Sequence, residues 1–128
     1  MRFDIKDLDK LVVLLKKHYE DDNPIAPFSE RKVRFMLEQE WNNPKTYIAV
    51  NEQMTAVLIF KIVPVVFSTA QQIQEVCFYS ESAGSGFRLL KEAQKWVNNW
   101  GMDKIFVSTG NDKVNKMLER FGMKQVGS

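Results

Sequence analysis

The sequence predicts a single α/β domain over residues 1–128, and three observations carry that expectation. The spacing of apolar residues is helical before Thr46 and changes to short runs of strand formers after it. Further on, the strand-like segment Gln72 to Tyr79 passes through a small-residue loop into an amphipathic helix and then into Ile105-Phe106-Val107. A strand, helix, strand unit of this kind implies a parallel strand pair with a right-handed crossover. Finally, 128 residues with 45% hydrophobic content suit one ordinary core. A chain of that size buries roughly two-thirds of the surface its unfolded form exposes, so it needs neither disulfides nor a structural metal.

A short strand at Arg2 to Asp4 opens the chain. Asp7 is placed to cap a first helix, in which Leu8, Leu11, Val12, Leu15 and Tyr19 recur at helical spacing. The acids and prolines of residues 20–27 make a loop. Ser29 then caps a second helix with Val33, Met36, Leu37 and Trp41 on one face, and Asn42-Asn43-Pro44 ends it. Tyr47 to Val50 and Ala56 to Phe60, separated by a polar turn, read as an antiparallel hairpin, with Pro64 ending or distorting its second strand. In the third strand, Ile73, Glu75, Cys77 and Tyr79 alternate against Gln74, Val76 and Phe78, which puts Cys77 on the Glu75 face. The third helix carries Phe87, Leu90, Ala93, Val97 and Trp100 on one side and closes at Gly101. A buried strand at Ile105 to Val107 follows, then a last helix capped by Asn111 and ended at Gly122, and a stub from Met123 to Val126.

Charge and composition narrow the function. A formal charge of +2, with lysines spread among acids, does not indicate nucleic-acid binding. The apolar run from Ala56 to Phe67 is broken by Lys61 and Pro64 and is too short to span a bilayer. With no signal-peptide pattern at the start and one unpaired cysteine, Cys77, the expectation is a soluble cytoplasmic protein with no membrane partner and no cysteine-based metal site.

The most informative feature is the loop Ser80-Glu81-Ser82-Ala83-Gly84-Ser85-Gly86, which joins a strand to the start of a helix. Free backbone N–H groups converge at such a helix start, the helix dipole adds partial positive charge, and glycine lets a phosphate come close. The pattern suits a pyrophosphate, and equally a tight structural turn. A P-loop would need Lys-Ser/Thr where Phe87-Arg88 stand, and a dinucleotide fold would place this unit at its first strand.

The order of elements, together with residues 76–90, resembles the acetyl-CoA motif of the GCN5-related N-acetyltransferase (GNAT) superfamily. That motif runs from Val through Arg/Gln-Gly-x-Gly-x-Gly/Ala to a helix with a Leu-Leu pair, here Leu89-Leu90. Gly101, Asn111 and Phe121-Gly122 also fall at family positions, and compact bacteriophage-type acetyltransferases are similar in length and layout. The resemblance implies a mixed, mostly antiparallel sheet with a splayed parallel strand pair, about four flanking helices and a truncated C-terminal hairpin. It implies acetyl-CoA as acetyl donor and, as acceptor, an amine of a small molecule or protein that attacks the thioester directly. The backbone of Val76 and Phe78 would meet the pantetheine arm and acetyl carbonyl, amides of Glu81, Ser82, Ala83, Gly84, Ser85 and Gly86 the pyrophosphate, and Asn111 the cofactor arm.

Direct attack needs a neutral amine, a polarised carbonyl and a proton for the departing thiolate. Glu75 is the candidate base, or else a strand acid that meets solvent or a lysine. Leu118 stands where the family often carries a tyrosine acid, so Tyr79, Tyr47 or water would take that role. Cys77 reads as a structural cysteine, His18 as a helix-end residue near the acceptor loop, and Glu20, Asp21 and Asp22 as a solvated loop or an attraction for a cationic amine. Glu81 puts an acid beside the expected diphosphate, and Ser82 replaces the motif's first glycine. These departures leave two other readings open: a catalytically inactive acyl-CoA-binding or interaction module, and an assembly protein whose loop holds no ligand. An open sheet edge makes a homodimer a further expectation.

Overall fold

A computed structural model describes residues 1–65, 67–100, 106–107, 116, 119 and 124–125. The chain starts beside the sheet: Arg2 forms an antiparallel bridge with Ala49, and the Phe3 N–H donates to the Ile48 carbonyl at 2.9 Å. Asp4, rather than Asp7, is the side chain that caps here. It accepts from the Lys6 N–H at the head of a 3-10 turn, Ile5–Asp7, while Asp7 makes no capping bond to the helix that follows. That helix, α1 (Leu8–Asp21), buries Leu11, Val12, Leu14 and Leu15, as its apolar spacing requires. Ser29 caps α2 (Glu30–Glu40) by accepting from the Lys32 N–H, and of the expected face only Leu37 is fully buried.

Strands β1 (Thr46–Val50), β2 (Ala56–Pro64) and β3 (Gln71–Ser80) form an antiparallel sheet in that order. The β1–β2 turn is held by Asn51, whose Oδ1 accepts from the N–H groups of Thr55 and Ala56, both at 2.8 Å. Pro64 does end β2, in register with Gln71. Ser82 caps α3 (Ala83–Asn99), which buries Gly86, Leu89, Leu90, Ala93 and Val97. The buried stripe is therefore turned toward Gly86 and Leu89, and Phe87 and Trp100, expected on it, stand 42% and 39% exposed.

The sheet separates two apolar layers. Tyr47, Ala49, Leu58, Phe60, Ile62 and Ile73 pack with α3 on one face, and Ile48, Val50, Val57 and Ile59 pack with α1 and α2 on the other. The alternation along β1 and β2 follows from the two-residue strand period. β4 (Phe106–Val107) runs parallel to β5 (Lys124–Gln125), so the two described residues of the expected C-terminal stub are in a strand. β4 lies beside β3, but no described ladder joins the two. The expected fourth helix lies outside the described residues except for Lys116 and Glu119, which are helical, and so do Gly101, Asn111 and Leu118. Among the described residues, no helix is long and apolar enough to cross a membrane.

Candidate functional site

The β2–β3 ladder slips by one residue in the middle of β3. Ile59 pairs with Cys77, Phe60 pairs with Glu75, and Val76 is left without a partner. This is a β-bulge, which frees the extra residue's backbone from the ladder and bends the strand. It also breaks the side-chain alternation. Ile73 and Phe78, five positions apart, both belong to the α3 layer, whereas Cys77 and Tyr79 pack on the α1 and α2 side. Glu75, opposite Phe60, lies on the α3 face, so the expectation that Cys77 shares a face with Glu75 is corrected.

Burial pushes the Glu75 carboxyl up from its usual 4.5 to about 7. Burial and the Glu75 charge push the Cys77 thiol up to about 12, which leaves almost no thiolate at neutral pH and makes it a structural cysteine. Val76, at the bulge, is 49% exposed.

Four residues on, the β3–α3 loop spends most of its own donors. The Glu81 N–H donates to the Thr55 carbonyl at 3.0 Å, the Ser82 N–H to Ser80 Oγ at 3.3 Å, and the Ser85 N–H to Ser82 Oγ at 3.3 Å. The Gly86 N–H closes the first helical turn on the Ser82 carbonyl at 3.3 Å. Among the described residues, the loop amides left without an acceptor are those of Ala83 and Gly84, both in the exposed first turn of α3.

The two glycines serve different ends. A Cβ on Gly84 would meet nothing within 4 Å, so this is the open one. A Cβ on Gly86 would sit 3.2 Å from the Phe78 ring and from Ser80 Cβ, so Gly86 allows α3 to close on β3. Glu81 sends its side chain to α1, where Lys17 Nζ meets it at 2.6 Å. The acid that departs from the expected motif therefore carries its own counter-charge.

On the other face of β3 lies a cavity of about 280 Å³. Val76 and Cys77 line it from β3, Leu15 and His18 from α1, and Phe28 and Met36 from the α1–α2 connection and α2. The His18 ring lies 4.7 Å from the Tyr79 ring, and burial lowers its pKa against the opposing charges of Asp22 and Asp21. The Tyr19 hydroxyl is spent on the Ala26 carbonyl at 2.7 Å. A wider depression of about 770 Å³ follows α2 past Arg31, Arg34 and Phe35, and shares no lining residue with the bulge.

The structure thus brings Val76, Tyr79 and His18 around one cavity or its wall, sets Ala83 and Gly84 at an open helix start, and keeps Glu75 at the bulge but on the α3 face. Sequence reasoning did not find the bulge, nor Leu15, Phe28 and Met36 as cavity walls. The signal for the bulge was the pair Ile73 and Phe78, which an unbroken alternation would put on opposite faces. No group of His, Cys, Asp and Glu among the described residues is arranged to hold a metal ion.

This arrangement, an antiparallel sheet with α1 and α2 on one face and α3 on the other, is similar in fold to solved structures described as acetyltransferases. A protein of Clostridium acetobutylicum, described as a predicted acetyltransferase and solved with acetyl-CoA, superposes with a TM-score of 0.77 over 98% of this chain and 89% of its own, at 13% identity. A GNAT family acetyltransferase of Staphylococcus aureus gives 0.63 over 87% of this chain and 85% of its own, at 19% identity. An integron cassette protein from the Cole Harbour Salt Marsh metagenome gives 0.74 over 99% of this chain and 84% of its own, at 15% identity. No protein-family model matches the sequence, and no curated protein matches it.

Proposed function

We propose that the protein transfers an acetyl group from acetyl-CoA to an amine, and the bulge at Val76 is the observation that carries this reading. A bulge turns a backbone amide out of the ladder at one position. In this scheme that amide polarises a thioester carbonyl entering between β3 and β4, which lie side by side with no described ladder joining them. Acetyl-CoA supplies the activated acetyl group; the chain supplies position, charge and proton acceptance. Val76 and Phe78 meet the pantetheine arm, and the open amides of Ala83 and Gly84 take the pyrophosphate at the positive end of α3. Among Glu81, Ser82, Ser85 and Gly86 the N–H groups already have internal acceptors, so these residues shape the loop around that pair of donors.

Glu75 is the final proton acceptor in this scheme: it stands on the α3 face, across β3 from the cavity, so the proton reaches it through water at the bulge, and a carboxyl with a pKa of about 7 is both half ionised and basic enough near neutral pH. Tyr79 is the proton donor to the departing sulfur. The cavity lined by Val76 and His18 receives the amine. Pairing of Glu81 with Lys17 removes one motive for an inactive binding module, because the loop acid no longer stands unopposed beside a diphosphate.

Calorimetric titration of acetyl-CoA into the wild type and Gly84→Glu tests the donor site. A glutamate in the first turn of a helix suits the helix dipole and has better helix propensity than glycine, so the variant folds. It nevertheless sets a carboxylate at the phosphate position. Binding by the wild type that Gly84→Glu loses supports the reading; equal binding by both places the donor elsewhere.

A further inference from the structure

The walls of the cavity behind the bulge restrict what can be acetylated. We infer that the acceptor is a primary monoamine carrying one compact apolar group, arylalkyl or branched alkyl, of about ten non-hydrogen atoms, seated among Leu15, Phe28, Val33, Met36 and Ile59 with its nitrogen at Val76. This rests on the preceding reading of the site as an acetyl-transfer centre. The size follows from a cavity of about 280 Å³, at roughly 30 Å³ for each water-sized group.

The chemistry follows from the polar side chains among the described lining residues, His18, Tyr19 and Asp22. The Tyr19 hydroxyl already donates to Ala26. His18 lies tilted against the Tyr79 ring from β3, and burial favours its neutral form although Asp21 and Asp22 on its own helix end pull the other way. Beyond it, Lys17 and Glu81 satisfy each other. Asp22 is the one carboxylate among the described lining residues, exposed at the helix end, where it can draw in a single ammonium. A second ammonium, or the hydroxyls of an amino sugar, would lose water against Phe28, Val33 and Met36 and find no partner among the described residues of that wall.

In the transfer, the amine nitrogen forms a bond to the acetyl carbon and the carbon–sulfur bond breaks with its electron pair on sulfur. Of the two protons the ammonium gives up, one ends on that sulfur and the other passes to water, from which Glu75 on the α3 face accepts it. The products are the N-acetyl amine and free CoA thiol.

Thiol release from acetyl-CoA is measured with phenethylamine, a linear alkylamine series, spermidine, glucosamine and a short peptide with N-terminal phenylalanine. The expected result is a kcat/KM for the apolar amines at least a hundredfold above spermidine and glucosamine, rising about fourfold for each added methylene until the cavity is full. The peptide arm shows whether the apolar amine is a free molecule or a chain end. A second readout does not depend on turnover: with CoA bound, phenethylamine moves the Met36 methyl resonance and spermidine does not. Met36→Glu is expected to abolish the preference and leave acetyl-CoA binding unchanged. Spermidine or glucosamine matching phenethylamine, or an unmoved Met36 methyl, with acetyl-CoA still bound, overturns the inference alone. A folded wild type that binds no acetyl-CoA overturns the functional reading with it.

Discussion

Replacing Glu75 by glutamine is expected to make the protein more stable and less active at the same time. The Glu75 carboxyl has a folded-state pKa of about 7 against an ordinary 4.5, and burial is the cause. Because the folded value lies above the unfolded one, the folded state holds a proton between these two pH values that the unfolded state has released. Stability therefore falls as pH rises through that window and levels off above about 7. At ~1.4 kcal/mol per pH unit between the two values, ionisation costs the fold up to ~3 kcal/mol. Glu75 is only partly buried, and solvent screening reduces this to about 2 kcal/mol.

Glu75→Gln removes the cost and keeps the shape. Urea unfolding of the wild type and variant at pH 5 and pH 8 measures it. The variant's advantage is expected to be about 2 kcal/mol larger at pH 8 than at pH 5, because the other titrating groups cancel between the two proteins. Acetyl transfer by the variant is expected to drop by about a hundredfold or more, and the wild-type rate to fall below pH 7 as the base is protonated. An advantage that does not change with pH would mean that Glu75 ionises like a solvated acid, and the argument for a poised base would be wrong.

The two loop glycines are expected to respond in opposite directions: Gly84→Ala stabilises by about 0.5–1 kcal/mol through helix propensity, while Gly86→Ala destabilises by about 1–2 kcal/mol as its Cβ meets Phe78; thermal melts compare them. Phe60, fully buried against α3, is expected to cost about 3–5 kcal/mol as Phe60→Ala in denaturant unfolding. Cys77→Ala is expected to retain acetyl transfer within about threefold, and the wild-type thiol to react slowly with a thiol reagent at pH 8, since its pKa is pushed up to about 12. Lys17→Glu removes the counter-charge of Glu81 and is expected to weaken acetyl-CoA binding, read by calorimetry.

The features that could be read from the sequence are those set by local periodicity and capping. The spacing from Leu8 to Tyr19 forces a one-faced helix, and Ser29 caps α2 as expected. The runs at Tyr47 and Ala56 pair through Asn51, as their strand propensity and polar turn suggested. Less legible were features that depend on where one segment meets another. The bulge adds one valine to a strand in which valine suits either face, so composition does not mark it, yet it moves Cys77 away from Glu75. The Glu81 amide looked like part of a phosphate cradle until Thr55, from the β1–β2 turn, took its hydrogen bond. Asp7 has the residue type of a cap, but the intervening 3-10 turn hands that role to Asp4. The cavity behind the bulge is assembled from α1, α2, their connection, β2 and β3, and no single window of sequence contains it.

The central claim is that one bulged strand and the helix start that follows it hold acetyl-CoA. Its most direct test is the backbone amide spectrum of the wild type as acetyl-CoA is added. Saturable shifts are expected at Val76, Phe78, Ala83 and Gly84, with the β1 amides of Ile48 and Ala49 unmoved. Shifts centred on another surface, such as the depression along α2, or no shifts in a folded protein at saturating acetyl-CoA, would contradict it.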